Sequence, residues 1–416
     1  MKISEQIFHC RSCENSKLDL VWKLKNSPYG DNFKKTAEEA MKVKYETLSL
    51  GFCDQCRMLQ LLEVTDTSST YNNYLYKSSI THGLNSYYQQ VVNRLVSEYE
   101  IKVHELIVDI GSNDGTFLKN FLNKGYKVIG IEPTQKNAND AELKGITTLN
   151  EYFEVTTVDK ILSQFGRPKL ISINYTLANI PNLFSFMKNI ELLMDDSTIL
   201  SVITGYHPDQ FLVNMFEYIN HDHLTYLTVE SFGNLCRVLG LKIIDLSKSE
   251  HKGGSIQFIV SKKNSAFEIQ SSVRQLLQRE AWIGANTKAF AKKLKLEVDV
   301  ICVKLNQMLE TMKIKSLYGI GASISTTYLC NQFGLNDLLT KLFDDDKNKI
   351  GLFAPGTERC VEALSDIPSS SDSTAIILAW QHSDKLLQRL NELNYSGQIV
   401  LPLPNPRLAI QHMQRH

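Results

Sequence analysis

The stretch Asp109-Ile110-Gly111-Ser112-Asn113-Asp114-Gly115-Thr116 decides the fold of the middle of this chain. An apolar run precedes it, and a helix-like pattern beginning at Phe117 follows it, so the sequence predicts a strand, a glycine turn and a helix. Glycines admit a ligand close to the backbone, and carboxylates suit cationic or hydroxyl groups. The predicted cofactor-binding residues of this turn are Asp109, Gly111, Asn113, Asp114 and Gly115. In the alternative interpretation, the glycines only turn the chain and the acids only cap the helix.

A second strand-like run narrows the choice of cofactor. Lys127 to Ile131 is followed by Glu132, whose carboxylate is placed to hold the two hydroxyls of a ribose. The chain lacks GxGxxG and Gly-Lys-Ser/Thr in this region, which argues against a dinucleotide or a nucleoside triphosphate. The glycine turn and Glu132 together favour S-adenosylmethionine (SAM).

Length and charge limit the function classes. A chain of 416 residues suggests two or three domains. Its 45 basic and 45 acidic residues cancel, so we do not expect nucleic acid as a partner. The N-terminus lacks the pattern of a signal peptide, and no run of about 18 apolar residues occurs, so we expect a cytoplasmic protein without a membrane segment. We also expect a monomer.

Four of the eight cysteines form two CxxC pairs, at Cys10 and Cys13 and at Cys53 and Cys56. Each pair can present two thiolates to one metal ion from a tight turn. A redox CxxC normally occurs once, beside a thioredoxin-like unit that we do not find here. With four thiolates a zinc ion has no open position for water, so we predict a structural zinc.

The order of strand-like and helix-like segments predicts the domain organisation. Residues 1–70 hold the zinc ligands and too little apolar sequence to fold well without a metal. Residues 71–262 alternate strand-like and helix-like segments, as in a doubly wound parallel sheet. Residues 263–416 begin with a long helical stretch, from 264 to 315, and then alternate again, which predicts a second α/β domain.

The densest group of titratable residues is Tyr218-Ile219-Asn220-His221-Asp222-His223-Leu224-Thr225-Tyr226. It follows the fourth predicted strand of the middle domain and therefore lies near the cofactor. Two histidines beside an aspartate can supply a base that works near neutral pH and a group that orients it. Alternatively, the cluster is a polar surface turn.

Three further motifs are less specific. Tyr318 to Thr327 predicts a strand that turns into a helix, where amides and hydroxyls suit an anion such as a diphosphate, although a simple tight turn fits equally well. Gly253-Gly254-Ser255 indicates a bulge or a close approach to ligand. Thr70 to Ser79 interleaves tyrosines with hydroxyls and amides, which suits either a surface that closes over a sugar or adenine, or an edge strand.

Taken together, these motifs resemble the sugar C-methyltransferases that act on nucleotide-linked ketosugars. The resemblance covers nearly the whole chain. It implies an α/β protein with a small N-terminal zinc-binding domain, a central Rossmann-like SAM-dependent methyltransferase domain and a C-terminal second Rossmann-like α/β domain. It also implies a substrate, a 4-keto-6-deoxyhexose on a nucleoside diphosphate, that is methylated at C3 after a base removes the C3 proton. The motifs that carry it are the two CxxC pairs, Ile110 to Leu118, Gly130 to Pro133, Tyr76 to Ser79, His221 to His223, the GGS turn at Gly253, and the loops at Tyr318 and Pro355.

The resemblance assigns roles residue by residue. His223 matches the general base, Asp222 the acidic residue beside it, and Tyr76 an active-site tyrosine. The chain departs from the family at Asn220, where a tyrosine is usual, and at Asn179, where a histidine is usual; both remain predicted catalytic residues. The predicted substrate-binding residues are His221, Tyr318, Ser323, Gly254 and Ser255.

Both departures replace a ring donor by an amide, which still donates hydrogen bonds but cannot titrate. Losing one oxyanion donor typically costs about a hundredfold to a thousandfold in rate. We therefore expect a different sugar or nucleotide, or a neighbouring group that compensates. Two other functions stay open: an O- or N-methyltransferase for a nucleotide sugar, and a weakened nucleotide-sugar-binding accessory protein. A zinc-ribbon nucleic-acid methyltransferase is disfavoured by the neutral charge.

Overall fold

The computed structural model describes residues 5–6, 9–64, 77–80 and 83–409. Three main sheets, of four, seven and six strands, follow one another along the described chain, with two short two-stranded ribbons. This is the α/β architecture that the sequence predicts. Among the described helices, none combines the length and the apolarity needed to cross a membrane.

The seven-stranded sheet forms the middle of the molecule. Its five parallel strands are almost wholly buried and rich in Ile, Leu and Val, as expected when helices cover both faces. The strands, in spatial order, are Thr147–Leu149, Lys127–Ile131, Leu106–Ile110, Leu170–Asn174, Ile199–Gly205, Ser255–Lys262 and Leu241–Ser249. Ser255–Lys262 runs antiparallel to both of its neighbours. The helices are Leu84–Glu98, Thr116–Leu122, Gln135–Leu143, Val155–Gln164, Leu183–Leu193, His207–Leu212 and Val229–Val238.

The chain reverses its winding direction between strands Leu106–Ile110 and Leu170–Asn174. Connections from these two neighbouring strands leave toward opposite sides of the sheet, which opens a crevice beyond their carboxyl ends. The glycine turn after Ile110 and the loop after Asn174 both begin at this crevice. The fold therefore places the predicted cofactor residues where α/β sheets bind ligands.

The N-terminal sheet is completed by a strand from the middle of the chain. Three of its strands are Asp19–Lys23, Ser49–Phe52 and Leu59–Leu61, and the fourth is Thr225–Tyr226, which pairs antiparallel with Leu59 and Gln60. The shorter elements are strands Glu5–Gln6, Ser27–Pro28, Tyr45–Glu46 and Glu63–Val64 and helix Ala37–Met41.

The predicted helical stretch from 264 to 315 contains two helices, Ser271–Ile283 and Lys288–Thr311. Gly284 adopts φ 70°, a left-handed conformation that ends the first helix, and Thr287 caps the second through the backbone N–H of Phe290. The second helix packs against strand Asp19–Lys23, so it joins the N-terminal and C-terminal parts.

The C-terminal sheet has the strand order Val361–Ala363, Lys341–Asp344, Ser316–Ile320, Ser373–Ile377, Gln398–Leu401 and Arg407–Leu408, with only the last strand antiparallel. Its helices are Ile324–Phe333 and Ser383–Glu392. A shared apolar core connects all three parts, because the ring of Phe216 lies 6.3 Å from that of Trp22 and 5.1 Å from that of Phe333.

Candidate active site

A cavity of about 730 Å³ lies at the carboxyl ends of the central strands. Its wall includes the turn after Ile110, the residues after Ile131 and the loop after Asn174. The cluster from Asn220 to Leu224 forms another part of the wall. Val64 contributes from the N-terminal part and Ile324, Ser325, Gln381 and His382 contribute from the C-terminal part. One cavity thus contains the predicted base and four of the six predicted cofactor residues, which are Asp109, Gly111, Asn113 and Glu132.

Glu132 directly follows strand Lys127–Ile131 and is 6% exposed. Its carboxylate accepts hydrogen bonds from the backbone N–H groups of Asn113, at 3.0 Å, and Thr134, at 2.8 Å. Burial raises the pKa of this carboxyl. The two bonds fix the carboxylate toward the cavity, where its remaining lone pairs suit the paired hydroxyls of a ribose.

Asp109 lines the same cavity and is 1% exposed. Its Oδ1 accepts hydrogen bonds from Ser172 Oγ, at 2.6 Å, and from Asn174 Nδ2, at 3.0 Å. Burial nevertheless raises the pKa of the Asp109 carboxyl to about 7. A positively charged ligand group beside it would favour the ionised form, which matches the amino group of SAM.

Packing requires both glycines of the turn, and Gly115 lies outside the cavity wall, which corrects its predicted role in ligand approach. Both have positive φ, 73° at Gly111 and 74° at Gly115. A Cβ on Gly111 would lie 2.3 Å from Thr176 Oγ1, and one on Gly115 would lie 2.4 Å from Ile146 Cδ1. Only Gly111 lines the cavity.

Asp114 is not among the described residues that line the cavity. It accepts hydrogen bonds from the hydroxyl of Thr116, at 2.6 Å, and the backbone N–H of Ser79, at 3.3 Å, and it pairs with Lys144 at 2.9 Å. These bonds hold the start of the helix and the segment before it, so the structure gives Asp114 a supporting position instead of the predicted contact with cofactor.

His223 is half-buried in the cavity wall, with its ring 4.1 Å from that of Tyr218. Its Nδ1 lies 2.8 Å from the carbonyl oxygen of Tyr218. A carbonyl oxygen only accepts, so Nδ1 carries the proton and Nε2 keeps a free lone pair. Burial, with a smaller contribution from the charge of Lys252, lowers the pKa of His223 to about 4, although the bond to the Tyr218 carbonyl opposes the fall. The imidazole is therefore neutral at pH 7 and is able to accept a proton at Nε2.

Asn220 orients the cluster from within. Its Nδ2 donates to the carbonyl oxygen of Tyr218, at 3.2 Å, and lies 3.1 Å from Nδ1 of His223, while its Oδ1 accepts from the backbone N–H of Asp222 at 3.1 Å. We expected this amide to donate to the substrate. In the structure its Oδ1 and one N–H are used inside the turn, and the residue also lines the cavity.

Asp222 is bound from the N-terminal part of the chain. Its Oδ1 accepts a hydrogen bond from the hydroxyl of Tyr29. Burial raises the pKa of Asp222 to about 6, and the Tyr29 hydroxyl opposes that rise. Asp222 lines the cavity beside His223, as the resemblance implies.

His221 joins the cluster to the C-terminal part. Its Nδ1 lies 2.8 Å from the hydroxyl of Tyr328, which also accepts from the backbone N–H of Gly30 at 3.2 Å. The His221 ring stacks on Tyr29 at 6.0 Å. Its Nε2 is buried, and a hydrogen bond with the backbone at Glu46 also holds the ring. His221 lines the cavity, as the resemblance implies for a substrate contact.

Asn179 lies at the end of a short 3₁₀ turn, Leu177–Asn179, and lines the cavity. Its Oδ1 is buried without a hydrogen-bond partner in the described part of the chain. An orphaned buried amide oxygen in a cavity wall indicates that a ligand group completes it. Asn179 therefore remains a candidate for substrate contact.

Four predicted substrate-binding residues do not line the cavity. Tyr318 is buried in the C-terminal core against Phe343, with ring centroids 5.7 Å apart. Ser323 caps helix Ile324–Phe333 through the N–H of Thr326, and only its neighbours reach the cavity. The carbonyl of Gly254 accepts hydrogen bonds from the backbone N–H of Tyr206 and the side-chain amide of Gln210. The hydroxyl of Ser255 donates to the carbonyl of His251 and is hydrogen-bonded to the hydroxyl of Tyr175. These residues support the wall instead of forming it. Tyr76 lies outside the described residues, as do Tyr71 and Tyr74 of the same motif.

The four CxxC cysteines come together as predicted. Cys10 Sγ lies 3.4 Å from Cys56 Sγ, Cys13 Sγ lies 3.6 Å from Cys53 Sγ, and all four sulfurs are within 4.8 Å of one another. Zinc–sulfur bonds of about 2.3 Å in a tetrahedron separate sulfurs by about 3.8 Å, so the set fits a zinc ion.

Two similar turns shape this metal site. Glu14 and Arg57, each one residue after a CxxC pair, have φ of 58° and 65°. Their backbone N–H groups donate to the carbonyls of Cys10 and Cys53, both at 2.9 Å. Each turn directs its two cysteine sulfurs toward the centre of the four-sulfur cluster.

Comparison with known proteins agrees with this geometry. Family models match three consecutive parts of the chain: a zinc binding domain over residues 10–71, a methyltransferase domain over 80–246 and a C-methyltransferase C-terminal domain over 250–404. The C-methyltransferase NovU from Streptomyces niveus is 22% identical over 411 residues, which cover 98% of each chain. The chain belongs to the SAM-dependent C-methyltransferases.

This C-methyltransferase is also similar to solved structures over 47% of its length. One is magnesium protoporphyrin IX methyltransferase (ChlM) from Synechocystis PCC 6803 with bound SAM, at 14% identity, 92% coverage of that chain and a TM-score of 0.35. Another is the PH0226 protein from Pyrococcus horikoshii OT3, at 8% identity, 99% coverage of that chain and a TM-score of 0.37.

Sequence reasoning missed several residues of the C-methyltransferase site. Tyr29 and Tyr328 contact the cluster from 193 and 107 residues away, and no local pattern marks them. Lys252 directly precedes the GGS turn. Its position beside that motif was the signal by which the sequence could have identified it. Tyr218 was part of the quoted cluster, but its backbone carbonyl as the partner of His223 could not be read from the sequence.

Proposed function

We propose that this C-methyltransferase methylates C3 of a 4-keto-6-deoxyhexose linked to a nucleoside diphosphate. The observation that carries the proposal is the state of His223. Its Nδ1–H is held by the Tyr218 carbonyl, so Nε2 of the neutral imidazole keeps its lone pair, and the residue lines a cavity that also contains Asp109 and Glu132. A base and a cofactor pocket in one cavity suit removal of a carbon-bound proton followed by methyl transfer.

The reaction needs a base because a C–H bond is a poor nucleophile. His223 Nε2 takes the C3 proton, and the electron pair of the C–H bond forms the C3–C4 double bond while the ketone oxygen becomes negative. The enolate then forms a C–C bond at C3 and restores the ketone. SAM supplies the methyl group when bound, and S-adenosylhomocysteine leaves with the sulfonium's bonding pair.

We divide the cavity residues into a group that binds SAM and a group that binds the nucleotide-linked sugar. Asp109 and Glu132 follow the central strands where SAM is expected. Asn179 contributes an unpartnered amide oxygen to the wall that also contains His221 and the base. Ser325 and His382 of the C-terminal part line the same cavity, and we assign them to the nucleotide end of the substrate.

The test uses purified protein in deuterated water with SAM and a panel of thymidine-, guanosine- and cytidine-linked 4-keto-6-deoxyhexoses. A new methyl carbon at C3, seen by proton NMR and mass spectrometry, supports the proposal. A methyl group on oxygen or nitrogen would establish the O- or N-methyltransferase alternative. Binding of these sugars without deuterium or methyl incorporation would instead establish an accessory binding protein.

A further inference from the structure

Lys252 occupies an unusual position in the cavity wall. It lies in the short turn His251–Gly253 with φ 52° and ψ 40°, a left-handed conformation that is uncommon for lysine. Its Nζ is 4.0 Å from the centre of the Tyr175 ring, and both residues line the cavity. Tyr175 is itself left-handed, with φ 57°.

Neighbouring groups hold this pair in place. The Tyr175 hydroxyl lies 3.0 Å from Ser255 Oγ, and Ser255 Oγ donates to the carbonyl of His251 at 2.7 Å. Strained backbone conformations cost about 1–3 kcal/mol each and persist where the surrounding structure enforces them, typically at functional sites. Two such residues in contact in one wall therefore indicate a constrained site.

Lys252 also provides a charge that the rest of the wall lacks. Among the described residues that line the cavity, it is the only lysine or arginine. Its ammonium acts on the base as well, because it lowers the pKa of His223, whose other near neighbours are the neutral groups of Tyr218 and Asn220.

Enolate formation needs a positive group or strong donor near the ketone oxygen, since removal of the C3 proton moves negative charge there. Asn220 and Asn179 line the cavity but offer only neutral amides, and the Asn220 amide is partly used inside its own turn. Since Lys252 is the only lysine or arginine in the described part of the cavity wall, this task falls to its ammonium.

We propose that the ammonium of Lys252 stabilises the negative charge on the ketone oxygen as His223 removes the neighbouring proton. This inference rests on the proposed function and adds the electrophilic partner of the base. Lysine compensates here for the two ring donors that the amides replace.

The test measures C3 hydrogen–deuterium exchange of the accepted ketosugar at saturating substrate in deuterated water. Lys252→Met should lower the exchange rate and methyl transfer by about a hundredfold to a thousandfold while SAM affinity is unchanged. Lys252→Arg, which keeps the charge, should recover at least part of the loss. Lys263→Met, at an exposed lysine beyond the next strand, is the matched control and should behave as wild type. Unchanged SAM binding shows that each variant is folded.

Exchange in Lys252→Met within about twofold of wild type would overturn the inference. A raised KM with unchanged exchange at saturation would overturn it too, and would assign Lys252 to the diphosphate. Failure of the proposed function has a different signature: wild-type protein would then neither exchange C3 hydrogen nor methylate C3 of any ketosugar in the panel.

Discussion

The hydroxyl of Tyr29 donates a hydrogen bond to Oδ1 of Asp222, so the zinc-bearing part of the chain contacts an acidic residue of the cavity. The same tyrosine stacks on His221, whose other neighbour, Tyr328, comes from the C-terminal part. Residues from all three parts therefore determine the geometry of one short cluster. We expect changes in any part to alter catalysis without touching the base.

Tyr29→Phe tests this relationship. The hydroxyl opposes the rise in the pKa of Asp222, which burial places at about 6, so its loss should raise that pKa further. If ionised Asp222 supports turnover, the acid limb of the kcat profile should move to higher pH. Tyr45→Phe, which removes an exposed hydroxyl 3.4 Å from the Gly356 carbonyl, should leave the profile in place. A profile that does not move in Tyr29→Phe contradicts the prediction.

His223→Asn should abolish both C3 exchange and methyl transfer, because an amide has no lone pair basic enough to take the proton. SAM affinity, measured by calorimetry, should stay within about twofold of wild type because the cofactor residues lie on other strands. His104→Asn, at an exposed histidine, serves as the control. Undiminished turnover would refute His223 as the base.

SAM affinity should depend on pH through Asp109. Burial raises the pKa of this carboxyl to about 7 in the unliganded protein, and only its ionised form attracts the cationic amino group. Affinity should therefore weaken by up to about tenfold per pH unit as the pH falls below 7. Calorimetric titrations across this range measure the slope. Asp109→Asn should bind weakly with no such slope, and an equal slope in that variant would exclude Asp109 as its source.

Zinc removal should stop methyl transfer although no cysteine ligand is among the described residues that line the cavity. Arg11, between the first two cysteines in the sequence, donates to the carbonyls of Leu61 and Leu224, and Leu224 follows the base directly. Loss of the metal should loosen this connection. Cys13→Ser, with zinc content measured by atomic absorption, should lose zinc and turnover together, whereas Cys302→Ser should lose neither. Full activity in a zinc-free protein would contradict the prediction.

Gly111→Ala should destabilise the protein strongly. Alanine at φ 73° is strained, and its Cβ would also lie 2.3 Å from Thr176 Oγ1. Left-handed strain costs about 1–2 kcal/mol and overpacking adds about 1–3 kcal/mol. Gly166→Ala isolates the first effect, because φ is 90° there and no atom lies within 4 Å. Thermal unfolding should show a larger drop in Tm for Gly111→Ala; equal drops would mean that Thr176 moves aside freely.

Local patterns made the strands and the zinc ligands predictable. Buried strands such as Leu106–Ile110 and Leu170–Asn174 can be recognised from their apolar composition. The CxxC spacing by itself confines two sulfurs to one turn. The His221 to His223 cluster was also visible because it is contiguous.

Partners fixed by tertiary packing were not predictable. Nothing in the segment around Tyr29 distinguishes it from other tyrosines until Asp222 is brought beside it. Similarly, the sequence cannot say whether a glycine leaves room for a ligand or for a side chain, and at Gly111 the neighbour is Thr176. Side-chain roles depended on contacts that only the folded chain provides.

The strand Thr225–Tyr226, which completes the N-terminal sheet, has a consequence for biosynthesis. While the chain is being made, both CxxC pairs leave the ribosome long before Tyr226, so zinc can be acquired while the edge of Leu59–Leu61 is still unpaired. An unpaired edge strand is a template for association with other chains. Zinc binding and completion of the N-terminal sheet are thus separated in time. A truncated chain that stops before Tyr226 keeps an unpaired strand edge to which other chains can bind.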